Sequence, residues 1–167
     1  MTRHNKLHLA SQLLLSAARG FEAATTDADY VKCILLAGAV VNICYPIVEE
    51  TGGKSRQRSR AELATKLTEV RNGESLTTKD WDAQVKRFIG FDTFVYNTLK
   101  HAGDSRKKVA AIDDIFFEAD LKDEAQELIL TAIDDFTAVP HSQGAIVSFD
   151  PELLTLVNSP WPPIKTK

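Results

Sequence analysis

One short segment carries residue types that could transfer a proton. In residues 96–103 (YNTLKHAG), Asn97 and His101 stand four residues apart. On a helix, that spacing places both side chains on one face. Histidine exchanges protons near neutral pH, and the negative end of a helix dipole favours its protonated form. The segment therefore predicts either an acid–base histidine positioned by Asn97 or a histidine that caps the last carbonyls of its helix.

Two basic clusters indicate a second kind of chemistry, the binding of phosphate or nucleic acid. Four cationic residues fall within residues 54–60, and four more flank the end of the fourth predicted helix. If the two clusters meet, they form a phosphate-attracting patch beside His101; otherwise they are solvated loops that keep the protein soluble. The predicted phosphate-binding or nucleic-acid-binding residues are Lys100, Arg106, Lys107, Lys108, Arg56 and Arg58.

Metal and cofactor chemistry has little support in the sequence. His4 and His8 share a helical spacing, but no third ligand stands nearby, so a solvated pair is expected. Motifs for zinc proteases, dithiols, phosphate loops, dinucleotides and nucleophile elbows are absent. Acidic doublets such as Asp134-Asp135 diverge on a helix, which is typical of solvated faces. We expect no metal and no cofactor.

The segment resembles the Asn-x-x-x-His part of the RNxxxH motif of HEPN domains (higher eukaryotes and prokaryotes nucleotide-binding). HEPN domains are all-helical bundles of similar length and are often dimeric. Many are metal-independent ribonucleases of bacterial defence and toxin–antitoxin systems. The likeness covers eight residues, and the predicted helix order agrees loosely over residues 7–138. It implies that His101 transfers a proton at a ribose 2′-hydroxyl and that Asn97 positions it.

The chain departs from the HEPN motif at one position. Active HEPN ribonucleases have an arginine before the asparagine, where this chain has Tyr96. Tyrosine cannot copy the bidentate geometry of arginine, and losing one such electrostatic donor typically costs about two orders of magnitude in rate. Arg106 or a basic residue of a dimer partner would have to replace it.

We therefore predict a non-catalytic interaction module, HEPN-like in fold, that binds a protein or RNA partner and is compatible with a homodimer. Two alternatives stay open. One is a metal-independent ribonuclease that uses His101. The other is an antitoxin, an immunity protein or a phage-borne inhibitor of a host enzyme, since small acidic helical proteins suit that work.

Composition sets the frame for these predictions. The 167 residues are 44% hydrophobic and 26% charged with a net charge of −3, which predicts one globular domain over residues 1–167 and excludes disordered or collagen-like chains.

Cys33 and Cys44 lie eleven residues apart, too far for a disulfide on one helix. Reduced thiols and the lack of a signal-peptide pattern predict a cytoplasmic protein. The 16-residue apolar run at 33–48 is shorter than the roughly 20 residues of a membrane span, so we expect a buried core helix and no membrane contact.

Apolar periodicity and capping signals predict an all-α bundle of four to five main helices, with a short C-terminal helix and a Pro-rich tail. Pro46 should kink the second helix or end its regular part, and a capping box of Ser59 and Glu62 should start the third. Residues 109–117 are either a short helix or extended. Residues 158–167 are predicted to form a loosely packed tail in which Trp161 lies on the surface or frays. The predicted helices span 7–24, 28–50, about 59–70, 79–102, 121–138 and 151–157.

The same periodicity predicts which side chains face the core. Leu63, Leu67 and Val70 mark the buried side of the third helix. Phe91 and Phe94 widen the apolar stripe of the fourth helix, so more than one neighbour is expected to bury it.

Overall fold

The computed structural model describes residues 2–101, 116–141 and 149–162, within which seven helices and no strands occur. This confirms the all-α prediction. Residue 102, the predicted end of the fourth helix, and most of the 109–117 segment lie outside the described residues. The helices are α1 Lys6–Ala23, α2 Asp27–Glu50, α3 Arg56–Asn72, α4 Thr78–Asp92, α5 Phe94–Lys100, α6 Leu121–Ala138 and α7 Pro151–Asn158.

Side-chain caps define the helices whose bounds match the sequence prediction. Asn5 accepts hydrogen bonds from the first amides of α1, and Thr26 forms a capping box with Asp29 at the start of α2. Asp120 and Asp150 cap α6 and α7 in the same way. Each cap satisfies amide groups that the helix itself leaves without partners. Local chemistry is therefore sufficient to start these four helices.

Helix α2 is the centre of the core, because α1 and α6 both pack along it. Cys33, Ile34 and Cys44 are among its fully buried side chains, and both cysteines are free thiols, as predicted. Pro46 lies inside the helix, which continues to Glu50. Within the described part of the chain, only α2 is long and apolar enough to cross a membrane, and a core helix of a soluble protein passes the same test.

Helix α3 differs from its prediction in both its start and its buried face. It begins at Arg56, with Ser55 as its N-cap, so the Ser59 capping box does not form. Leu63, Leu67 and Val70 are 61%, 59% and 71% exposed, whereas the side chains that face inward are mostly polar. Helix α3 packs on α4 and α6 with another face turned inward, and its ion pairs to these helices accompany that orientation, so the apolar stripe lies toward solvent. The buried residues of α3 are Gln57, Ala61 and Thr65.

The fourth predicted helix is two helices. Helix α4 ends at Asp92, and α5 begins at Phe94 after a break at Thr93, whose Oγ1 donates a hydrogen bond to the carbonyl of Ile89 at 3.0 Å. Phe91 and Phe94 are 60% and 52% exposed, contrary to the prediction that several neighbours bury them. The break reorients the chain, so a stripe calculated for one continuous helix no longer describes one face.

Trp161, in the described part of the tail, is buried, contrary to the prediction that it lies on the surface or frays. Trp161 is 9% exposed and belongs to the core cluster. Its ring lies 5.2 Å from that of Phe21 on α1, measured between centroids. Helix α7 packs on α1 and α6 and brings this part of the tail onto the bundle.

Candidate functional site

Asn97 and His101 lie at the end of α5, and both side chains are exposed. The helix ends at Lys100, not at residue 102 as predicted, and His101 has an extended backbone. The amide of His101 donates to the carbonyl of Asn97 at 3.0 Å, which closes the last turn. Because His101 lies beyond the helical residues, helical spacing alone does not place its ring on the same face as Asn97.

Tyr96, which stands where active HEPN ribonucleases have arginine, points in the other direction. It is 6% exposed, and its ring lies on Gly38 of α2. Its hydroxyl accepts a hydrogen bond from Nδ2 of Asn42 at 3.0 Å. A Cβ atom at residue 38 would lie 2.2 Å from the ring, so only glycine leaves room for it. Position 96 therefore docks α5 on the core, while Asn97 and His101 face solvent.

Lys100 is the one predicted phosphate-binding residue of the second basic cluster that the structure describes. Its Nζ lies 5.0 Å from the centroid of the Tyr96 ring, within the range of a cation–π contact. Arg106, Lys107 and Lys108 lie outside the described residues.

The first basic cluster is paired with carboxylates. Arg58 contacts Glu49 at 3.1 Å and Glu62 at 3.0 Å, and Lys54 contacts Glu62 at 2.6 Å. Hydrogen bonds from Lys54 and Arg58 hold the pKa of Glu62 below its usual range. These side chains keep α3 against the end of α2.

The other two arginines of this cluster connect α3 to further helices. Arg56 forms an ion pair with Asp134 on α6. Arg60 lies 2.8 Å from Glu127 on α6 and 3.8 Å from Asp92 on α4. Exposed pairs of this kind contribute about 0–1 kcal/mol each. Residues 54–60 thus form a charged clamp, and a phosphate would have to displace carboxylates to bind Arg56 or Arg58.

A buried polar cluster, missed by the sequence analysis, lies under this clamp. Asp135 on α6 is fully buried, and its Oδ1 accepts a hydrogen bond from the backbone amide of Arg56 at 2.7 Å. Burial raises the pKa of Asp135 to about 6. Within the described residues, Oδ2 of Asp135, Nε2 of Gln57 and Nε of Arg56 are buried without hydrogen-bond partners.

The sequence contained a signal for this cluster. Leu128, Ala132 and Asp135 recur at helical spacing, which places Asp135 on the buried face of α6. The expectation of a solvated acidic doublet therefore holds for exposed Asp134 and is wrong for Asp135.

This buried cluster has a structural role, because it contains neither an activated nucleophile nor a set of metal ligands. The negative charge of Asp135 also acts on Cys44, whose pKa is raised to about 12, mainly by burial. A thiol with that pKa stays protonated and is not a nucleophile at neutral pH. In the part of the chain that the structure covers, no group of three histidine, cysteine or acidic side chains could hold a metal ion.

A scan of protein-family models finds no match to this chain, and searches of curated proteins and of solved structures find no significant match either.

Proposed function

We propose that this chain is a non-catalytic, HEPN-like interaction module that binds a second protein chain through the exposed stripe of α3. The single observation that carries the proposal is the exposure of Leu63, Leu67 and Val70. They are spaced by four and three residues, so they form one continuous line along the helix. Isolated apolar side chains are common on surfaces, whereas exposed apolar side chains aligned in one contiguous patch are often functional.

A protein partner is favoured over RNA by the charges around α3. Arg56, Arg58 and Arg60 are all paired with carboxylates, so a phosphate backbone would have to displace a carboxylate to bind any of these three. Binding to nucleic acid depends on cations that neutralise phosphates. The apolar stripe has no charged or hydrogen-bonding group that could bind a phosphate, whereas it can pack against the apolar face of a helix in another protein.

The partner we infer is a second copy of this chain. Leu67 lies near the middle of the stripe, with Leu63 on one side and Val70 on the other. If two α3 helices pack antiparallel about a twofold axis near Leu67, Leu63 of each copy lies opposite Val70 of the other, as a self-complementary contact requires. The stripe is smaller than the roughly 800 Å² per partner of a standard interface, so a weak dimer is expected.

Sedimentation velocity over about a hundredfold range of protein concentration tests this proposal. We expect a monomer–dimer equilibrium for the wild type and a monomer for Leu67→Glu. Burying the glutamate carboxylate in an apolar contact costs desolvation free energy that no opposite charge in the contact offsets. Since Leu67 is exposed, the free energy of unfolding should change by less than about 0.5 kcal/mol.

Leu9→Glu is the matched control, because Leu9 is an exposed leucine on α1. It should dimerise like the wild type. A wild type that stays monomeric throughout, or a Leu67→Glu variant that still dimerises, would contradict the proposed interface.

The ribonuclease alternative keeps one observation in its favour, namely that Asn97 and His101 are both exposed, one in the last turn of α5 and the other just after it. A cleavage assay on mixed RNA in EDTA, with wild type and His101→Ala, separates the two functions. We expect no cleavage by either protein, because Tyr96 is held against α2 and supplies no cation. Metal-independent cleavage that disappears in His101→Ala would establish the ribonuclease and overturn the non-catalytic assignment.

A further inference from the structure

A second candidate site is a cleft between α1, α7 and the adjoining tail. The residues that line it recur at intervals of three or four on both helices, so each helix presents one continuous face to it. Its volume is about 170 Å³. A cavity of about 150 Å³ with an apolar lining holds a benzene ring, so the cleft has room for about one six-membered ring. The apolar part of its wall consists of Leu15, Ala18, Leu156, Pro160 and Trp161.

The edge of this cleft is open to solvent and includes a carboxylate. Glu22, Thr155 and Ser159 line the cleft and are all exposed, so a molecule that enters from solvent can reach the Glu22 side chain. Among the described residues, no basic side chain forms an ion pair with Glu22. Glu22 is therefore available to a positively charged group of a ligand.

The other charges at the cleft leave its edge negative. Arg19 and Glu152 form a two-pronged ion pair, so their charges largely cancel and the guanidinium group is already engaged. Glu22 adds a carboxylate to this neutral pair. It lies in the last turn of α1, which contains no basic residue, and the negative end of a helix dipole favours a cation. The cleft thus favours a cationic ligand over a neutral or an anionic one.

We propose that this cleft binds a small organic cation, a protonated amine whose single ring or short aliphatic chain packs on the apolar wall while its ammonium group pairs with Glu22. Packing of the apolar group supplies most of the affinity, because an exposed ion pair contributes little. The carboxylate selects among ligands of the same shape by their charge. The inference is independent of the α3 stripe and does not rest on the proposed dimer.

Three probes that share one ring and differ in charge test this proposal. Benzylamine is protonated at neutral pH, benzyl alcohol is neutral and benzoate is anionic. The readout is the backbone amide signals of residues 15–22 and 152–161 in a two-dimensional ¹H–¹⁵N NMR spectrum, with the amides of α3 and α4 as an internal control. We expect saturable shifts at the cleft with benzylamine and an affinity about two- to fivefold above that of benzyl alcohol. Benzoate should bind more weakly than either.

Glu22→Gln tests the role of the carboxylate. It removes the charge at an exposed position, so benzylamine should then bind no more tightly than benzyl alcohol, whose affinity should not change. Glu50→Gln is the matched control, because Glu50 is an exposed glutamate in the last turn of α2 and does not line the cleft. It should keep the preference of the wild type for benzylamine.

Two variants test the location. Ala18→Leu fills the apolar wall, and Thr155→Phe places a ring at the exposed edge of the cleft without changing a buried position. Each should weaken benzylamine binding by at least about fivefold, while unchanged amide signals of α3 and α4 show that the fold is intact. The proposal is overturned if benzylamine gives no saturable shift at the cleft, if benzoate binds as tightly, if Glu22→Gln keeps the preference for benzylamine, or if Thr155→Phe binds as the wild type does.

Discussion

Gly38→Ala is expected to destabilise the protein by about 1–3 kcal/mol in urea-induced unfolding, although alanine is the better helix former. The added Cβ would lie 2.2 Å from the Tyr96 ring, and three ring carbons lie within 2.7 Å of it. No methyl group fits at that distance, so α5 must move away from α2. The hydrogen bond between Asn42 and the Tyr96 hydroxyl would be lost with that movement.

Gly90→Ala is the matched control for this substitution. Gly90 lies in α4, and a Cβ added there meets nothing within 4 Å. The same change should therefore stabilise the protein by about 0.5–1 kcal/mol.

A double variant identifies the cause of the loss. In a Tyr96→Ala background, the ring is gone and Gly38→Ala should cost almost nothing, so the two substitutions should be strongly non-additive. Equal costs of Gly38→Ala with and without the tyrosine ring would show that the ring is not what excludes a side chain at position 38.

Asp135→Asn is expected to change how stability depends on pH. The pKa of Asp135 is about 6 in the folded protein against an ordinary value of 3.8, so the folded state holds this proton more tightly than the unfolded chain. Its contribution to the unfolding free energy is therefore most favourable below about pH 4 and falls as the pH rises to about 6. The total loss is about 3 kcal/mol for a shift of about two pKa units.

Urea unfolding of both proteins from pH 4 to 8 measures this effect. Asparagine keeps an oxygen for the Arg56 amide but cannot ionise, so Asp135→Asn should gain stability relative to the wild type as the pH rises through this window. Neighbouring charged groups also shift the pKa of Asp135: Asp134 and Glu49 raise it, and Arg56 lowers it. The change with pH is the informative quantity, because the buried amide adds a constant cost of its own.

Glu152→Gln supplies a control of opposite sign. Its hydrogen bond to Arg19 lowers the pKa of Glu152 from the ordinary 4.5, so that carboxylate favours folding above that pH. The benefit is lost as the pH falls below 4.5, so the curves of this variant are extended to about pH 3. If the profiles of wild type and Asp135→Asn are parallel, the raised pKa of Asp135 is refuted.

The helices that local chemistry determines could be predicted from the sequence. Helix α6 begins and ends where predicted, because Asp120 caps its start and a proline follows its end. The apolar run of α2 likewise identified the core helix. In these elements, the periodicity of apolar residues and the capping side chain agree, so no distant contact is needed to locate them.

The parts that depend on distant contacts could not be predicted. Leu63 and Leu67 have the spacing of a buried stripe, yet α3 packs on α4 and α6 with its other face, where Arg56 and Arg60 form ion pairs. Residues 91–95 contain no glycine or proline to mark the break at Thr93, which accompanies the docking of Tyr96 on Gly38. These outcomes involve residues far apart in the chain, and a local pattern does not contain them.

The candidate site was likewise predictable only where local sequence determines it. The sequence identified His101 and Asn97 by residue type, but not that the helix ends between them. It also did not reveal that the neighbouring Tyr96 is buried. The burial of Asp135 was readable from helical spacing, although its contact with the first amide of α3 was not, because 79 residues separate the two partners.

The charged clamp of residues 54–60 gives the molecule two regions that respond differently to salt. Helices α1, α2 and α6 are held together by apolar packing, whereas α3 joins them mainly through carboxylate pairs. Dissolved ions weaken exposed pairs and leave apolar packing intact or stronger. Rising ionic strength should therefore loosen α3 and its neighbour α4 first, and the apolar stripe of α3 would then be carried by the more loosely attached part of the fold.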